Sequence, residues 1–462
     1  MNKIKVVIIQ KIRGFFNIKF LLSLIVLLGL FILWVYKGIT ETAIHADLAR
    51  DLNYLSNLWM HKVVWLGPAT SANFPASPLY FYLLFPGLLL SGGNGLSLVF
   101  SQSFFAALAL GLFAYFQVKK SFISTLLVIL VVGLSPWWIT ASALPWNGHM
   151  YVAWVFLALT SLWFKTPFFI SALLFGISIA IDLAAILVLP ILFYEWLVNV
   201  GRKKNLIYIF VGLLLPWAPI IIFEIITNGF LTRQWLQYPA AAGITYSPNL
   251  TNIKLILNLL KISQVQAITI LIISFLIASN RARYWLIFIC SPLLFIVLVT
   301  PLRDYYLLGF ICALTFIFSV ILASKTIGRI ILVIFIIIYI LGITILPFTV
   351  SNRSIIGMSN TVDTFMQQSN LDKNKKYAVV SVRDLQNSTP QADDYRFFLR
   401  TKGINVLNID QYSEADILIL FIEVPNFKWE NFEDWHINRF GNREYISNQN
   451  INGVEIIIYK RK

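Results

Sequence analysis

Asp47, Arg50 and Asp51 put two acids and a base within five residues of a chain whose first 350 residues hold only seven acids. In a helix, residues three and four apart share a face, so both carboxylates and the guanidinium would lie side by side. A carboxylate so placed can take a proton from a hydroxyl, or Asp47 can hold a divalent cation. The plainer reading is a solvated, capped helix start. On spacing alone it has the better odds, because acidic pairs are common.

Three other places carry the same ambiguity. Asp182 stands in Ile181-Asp182-Leu183 within a long apolar run, and an acid at membrane depth is either functional or sits in a wet turn. Arg303 precedes Tyr305 and Tyr306. A guanidinium beside phenol hydroxyls suits a phosphate, although interfacial anchoring explains most such residues. Glu224 precedes Asn228-Gly229 with Arg233 nearby, which reads as a helix cap or a surface pair.

The elements that must position these residues are apolar spans. The chain is 58% hydrophobic and 12% charged, with a mean hydropathy of +0.76; soluble domains average roughly 25% charged residues. Apolar runs recur from Phe20 to Phe348, far past any cleaved leader. Residues 1–350 carry 22 Lys and Arg against 7 acids, whereas 351–462 carry 14 of each, so the net +15 belongs wholly to the apolar part. That balance points to lipid and membrane orientation, and nucleic acid is excluded by the lack of an aromatic-interleaved basic stripe. Cys290 and Cys312 both lie in apolar runs, which rules against a disulfide framework.

Spans are expected near 20–37, 96–118, 121–138, 149–165, 167–182, 184–200, 206–226, 264–279, 284–300, 304–323 and 328–348. This makes eleven. Residues 78–91 are apolar but short, and are expected to lie in the outer interface with Tyr80 and Tyr82 at headgroup depth. On this layout the N-terminus and fifteen of the Lys and Arg lie inside, among them Lys119, Lys120, Lys165, Arg281, Lys325 and Arg329. Lys62, Arg233 and Arg303 fall outside, and of the seven acids only Glu195 falls inside. Any chemistry is then extracytoplasmic. After Phe348 strands are expected at 377–382, 404–409, 416–424 and 454–459, with a helix near 392–402, a small α/β domain placed outside by the odd number of spans.

Asp47-Leu48-Ala49-Arg50-Asp51, Gly67-Pro68-Ala69-Thr70-Ser71 and Pro78-Leu79-Tyr80-Phe81-Tyr82-Leu83-Leu84 together resemble the first extracytoplasmic loop of the GT-C superfamily. Within it they resemble the dolichyl-phosphate-mannose–protein mannosyltransferase-like bacterial enzymes and the lipid A aminoarabinose transferases. The resemblance extends through Ser135-Pro136, Leu144-Pro145-Trp146-Asn147, Phe223-Glu224 and Arg303-Asp304-Tyr305-Tyr306. It departs at Trp146-Asn147-Gly148-His149, where the family often reads W-N-P-N, and no basic residue stands in 67–77 before the Pro-Leu-Tyr segment.

The resemblance implies an all-α polytopic membrane domain over 1–350, with its first loop at 38–95, and an accessory α/β domain over 351–462. It implies a multi-pass enzyme of the cell membrane, an inverting glycosyltransferase with a polyprenyl-phosphate sugar as donor and a glycan, lipid or protein hydroxyl as acceptor. Asp47, Arg50 and Asp51 would be catalytic. Lys62, Tyr80, Tyr82, Asn147, Asp182, Arg233, Arg303 and Tyr305 would bind substrate. It fixes no cofactor, and a divalent ion at Asp47 is compatible with the loop. A lipid-linked oligosaccharide ligase or polymerase shares this layout. A lipid or polysaccharide transporter would need polar residues through the inner half of the bilayer as well.

Overall fold

The computed structural model describes residues 18–40, 43–69, 75–198, 202–241, 245–246, 251–300, 303–345, 353–383, 392–429, 432 and 434–462. Six helices among them are long and apolar enough to cross a membrane: Ile18–Thr40, Leu96–Gln117, Leu206–Ile226, Asn280–Leu298, Asp304–Ala323 and Thr326–Ile343. Two bent pairs raise the number to eight if each counts as one span, Phe122–Leu134 with Pro136–Ala143 (70°) and Thr251–Leu260 with Gln264–Ile277 (76°). The first bend falls at Ser135-Pro136. Proline disfavours helical geometry in the residue before it, and Ser135 is extended at ψ 136°. The other expected spans coincide with shorter helices, Asn147–Trp163 at 17 residues, Phe168–Ile181 at 14 and the run Leu183–Val198. Leu79–Leu90 has only 12 residues, with Pro86 inside it, too few for the roughly 20 a crossing needs.

Packing divides the chain into two units. One comprises residues 1–38, 69–80 and 101–347; the other comprises 39–68, 81–100 and 348–462. Residues 39–68 and 81–95 of the first loop thus belong with the C-terminal segment, and 69–80 with the helices.

The first unit is organised around Asp304–Ala323, buried on almost every side, whereas Thr326–Ile345 and Leu206–Ile226 leave most of their surface outward, as lipid-facing helices do. Phe316 of the central helix packs edge-on to Phe113 and Phe156, with centroids 5.9 and 5.1 Å away. Small residues allow the closest crossings. A Cβ on Gly176 would stand 2.7 Å from the Gly212 carbonyl oxygen, and one on Gly212 would stand 2.9 Å from the Leu173 nitrogen. Without a hydrophobic driving force between helices in lipid, such backbone approach supplies the attraction.

In the second unit, Tyr377–Val382, Ile417–Ile422, Val454–Arg461 and Arg443–Ile451 form a sheet in that order. The first pair is parallel (Tyr377 beside Ile417) and the others antiparallel. Ala378, Val380, Leu418, Leu420 and Ile457 form its buried core with Tyr412 and Phe440. The strands expected at 377–382, 416–424 and 454–459 are present. The one expected at 404–409 is not: Val406 makes a single bridge beside Tyr377, and the chain then turns into the 3-10 segment Ile409–Glu414. The edge strand Arg443–Ile451 was not expected, because its residues are mostly polar and exposed.

The loop is tied to this domain by backbone and side chains alike. The Ile44 amide donates to the Arg353 carbonyl at 2.9 Å, and Arg353 returns a bond to the Ile44 carbonyl at 3.2 Å. Arg353 also pairs with Asp394 and Glu423. Arg400 is buried and donates to Asn53 Oδ1 (2.8 Å) and Ser56 Oγ (2.9 Å) of the helix Ala46–Trp59, and to Asn408 and the Val406 carbonyl. All four partners are neutral. Burial therefore pulls the Arg400 guanidinium down to about 10.

Candidate functional site

Ala46–Trp59 begins where His45 caps it, the imidazole Nδ1 accepting from the Leu48 amide at 3.4 Å. Asp47 in the first turn favours the positive end of the helix dipole. The amphipathic spacing of Leu48, Leu52 and Leu55 buries one face. Asp51 falls on the buried side, its side chain 2% exposed, while that of Asp47 is 53% exposed. Arg50 joins them, donating from Nη1 to Asp47 at 3.1 Å and from Nη2 to Asp51 at 3.0 Å. The spacing therefore does bring these three together.

Electrostatically the two acids differ. Loss of water pushes the Asp51 carboxyl up to about 7, and Arg50 offsets only part of that cost. Asp51 Oδ2 is buried with no hydrogen-bond partner among the described residues. Burial also lowers the His45 imidazole and raises the Tyr54 phenol, whose ring stacks on Phe81 at 5.3 Å. Tyr82 donates to the Val64 carbonyl at 3.1 Å, and Lys62 is exposed. For a divalent ion the fit is poor: a guanidinium already stands between the carboxylates, and no three His, Cys, Asp or Glu cluster among the described residues.

In the membrane unit a second group forms at one end of the helices. The Tyr80 hydroxyl donates to the Pro145 carbonyl at 2.6 Å, next to Trp146 and Asn147 at the start of Asn147–Trp163. The Trp146 ring meets His149 and Tyr305 edge-on, with centroids 5.1 and 4.7 Å apart. Tyr151 donates to the Tyr305 carbonyl at 2.8 Å and accepts from the Gly309 amide at 2.8 Å. Gly309 is required there, since a Cβ would fall 2.6 Å from the Tyr151 ring. Arg303 precedes the first turn of Asp304–Ala323, exposed and with no ion-pair partner among the described residues.

Two expected binding residues are engaged locally instead. Asp182 Oδ1 accepts from the Ala184 amide at 2.9 Å and so caps the 3-10 turn Leu183–Val188. Arg233 donates to the Asn228 carbonyl at 2.7 Å. Glu224 is a cap, accepting from the Leu231 and Thr232 amides at 2.7 and 3.1 Å.

Two crystal structures of ArnT, the lipid A aminoarabinose transferase, from Cupriavidus metallidurans superpose on this chain. One is bound to undecaprenyl phosphate and the other is in the apo state, and each gives a TM-score of 0.59. Identity is 12% and 13%, over 95% of this chain and 97% of that one. The fold is that of ArnT. No family model and no curated protein sequence matches the chain. At 95% of the chain, the likeness takes in residues of both units.

Within the ArnT fold, several residues that order this chain's candidate site carried no sequence signal. Tyr151 reads as one more apolar-helix residue, yet both bonds of its hydroxyl link helices 154 and 158 positions apart. Arg400 reads as a surface charge, yet it fixes the loop helix from 347 and 344 positions away. His45 was hidden for a related reason: a helix start is read from Ser, Thr, Asp or Asn, and here an imidazole takes that place.

Proposed function

We propose that this protein is an inverting glycosyltransferase of the cell membrane that moves a sugar from a polyprenyl phosphate to an acceptor hydroxyl at the extracytoplasmic face. The observation that carries the reading is the superposition, over 95% of the chain, on an ArnT structure bound to undecaprenyl phosphate. The acid–arginine–acid cluster of the first loop supports it. The acceptor hydroxyl gives its proton to Asp47 and its oxygen attacks the anomeric carbon. The bond from that carbon to the phosphate oxygen breaks, and the lipid phosphate leaves with the electron pair. One displacement inverts the anomeric centre. Arg303, with Lys62, neutralises the leaving phosphate; a guanidinium fork matches two of its oxygens. Arg50 holds Asp47 in place and Asp51 orients Arg50, while Tyr80, Asn147 and Tyr305 shape the donor's surroundings. No nucleotide site is needed, since the lipid carries the sugar.

The test is reconstitution of the full chain in vesicles with a panel of undecaprenyl-phosphate-linked sugars. The reading expects undecaprenyl phosphate to be released as glycosylated acceptor forms, one for one. Donor carried across the bilayer intact, without loss of sugar, would identify a transporter instead.

A further inference from the structure

The basic loops of the membrane unit gather at the end of its bundle away from Tyr80 and Tyr305. Lys120 stands over the Phe164 ring at 4.8 Å, and Arg281 donates to the Leu162 and Trp163 carbonyls at 2.7 and 3.1 Å. Both lie about 25 Å from Asn147 along its 17-residue helix. At this end a cleft of about 1200 Å³ opens between Phe168–Ile181, Leu189–Val198, Arg202–Leu214 and Asn280–Cys290.

Its lining has two characters. Val198, Ile207 and Val211 make an apolar wall, each at least half exposed. Lys165, Arg281 and Tyr208 make a polar mouth. Glu195 also faces it, but its Oε1 is already taken by Arg281 Nε and Trp285 Nε1, both at 2.6 Å. The mouth is therefore net positive: Lys165 and Arg281 against one acid, one charge over. Lys165 is held on a left-handed turn, φ 57°, by the Thr166 amide bonded to the Ser161 carbonyl, and its ammonium has no partner among the described residues. Arg281 is fixed between Trp163 and Trp285 and spends one bond each from Nε, Nη1 and Nη2. A guanidinium has five N–H groups, so two remain. The helix that supplies Ile207, Tyr208 and Val211 opens with Arg202-Lys203-Lys204.

We propose that this cleft binds an anionic phospholipid, its phosphate held by Lys165 and the two remaining Arg281 donors and its acyl chain laid along Ile207 and Val211. A free phosphate would use the mouth alone and leave the apolar wall empty, in a volume above the roughly 300–1,000 Å³ of ordinary small-molecule sites. A zwitterionic lipid would bring a second cation to a mouth whose one carboxylate is already engaged. Basic pockets between helices are sites of this kind.

Native mass spectrometry of the full chain in detergent tests it, with phosphatidylglycerol and phosphatidylcholine of identical acyl chains, each with and without millimolar inorganic phosphate. Phosphatidylglycerol should stay bound under activation that strips phosphatidylcholine, and added phosphate should not displace it. Lys165→Glu and the milder Lys165→Gln should each weaken that binding, the first by about tenfold, in line with the loss of one charge-assisted contact. Lys254→Glu, at an exposed lysine outside the cleft, should leave it unchanged. Equal retention of the two lipids, displacement by inorganic phosphate, or full retention by folded Lys165→Gln and Lys165→Glu would each overturn the proposal.

Discussion

Two arginine–carboxylate groups in this chain are built to opposite ends. Glu195 accepts from both Arg281 and Trp285, and Arg281 is further bonded to two carbonyls and flanked by two indole rings. Its carboxylate charge is met and its geometry fixed. In the first loop, Arg50 is shared between Asp47 and Asp51, one oxygen of Asp51 has no partner, and Asp47 is half exposed. The first arrangement is what a structural clamp needs. The second leaves one carboxylate half exposed to solvent and a buried one only partly compensated. Charge density alone would have ranked the two alike.

The largest effect that could break this contrast is in the clamp. Arg281→Ala leaves Glu195 buried without its cation and should cost about 3 kcal/mol, the low end for a broken buried pair because the guanidinium is 26% exposed. Thermal unfolding in detergent should show this, with Arg281→Lys recovering only part. Unfolding of Arg281→Ala at the wild-type temperature would mean that the clamp stabilises nothing.

Arg303 sharpens the other side. On the proposed reading, Arg303→Ala removes a charge-assisted contact to the donor phosphate worth roughly 1.5–3 kcal/mol. The donor KM should rise by one to two orders of magnitude while unfolding is unchanged, since the side chain is exposed. An unchanged donor KM would remove Arg303 from the phosphate site.

A smaller effect comes from Asp51. Its folded carboxyl titrates near 7 against an ordinary 3.8, so the native state holds a proton that the unfolded chain has released between those values. Stability should therefore fall as pH rises from about 4 to about 7. Asp51→Asn removes that titration, so melting temperatures measured at pH 5 and pH 8 should lie closer together than in the parent. An identical pH slope in the variant would show that the buried acid is compensated after all.

Much of the fold was legible in the sequence because it follows local rules. Long apolar runs located the six helices able to cross a membrane, and Glu224 announced itself as a cap before Asn228-Gly229. The Asp47–Arg50–Asp51 cluster was legible for the same reason, since helical spacing alone makes those contacts. Arg443–Ile451 was missed although Asn452-Gly453, with φ 52° and 80°, is a strong hairpin signal. Its polar residues hid it. The union of the first loop with the C-terminal segment was not legible. It rests on Arg353 reaching Ile44 and Arg400 reaching Asn53, pairings no local pattern encodes.

The central claim is that Asp47 takes the acceptor's proton while Asp51 only orients Arg50, and rates of transfer by Asp47→Asn and Asp51→Asn in the reconstituted protein test it most directly. Loss of a general base commonly costs on the order of 10²–10⁴-fold. Asp47→Asn should fall in that range with unfolding near the parent's, because the residue is half exposed. Asp51→Asn should lose much less. Near-normal transfer by Asp47→Asn, above all with the loss appearing in Asp51→Asn, would contradict the account and return the Asp47–Asp51 pair to a charged helix start.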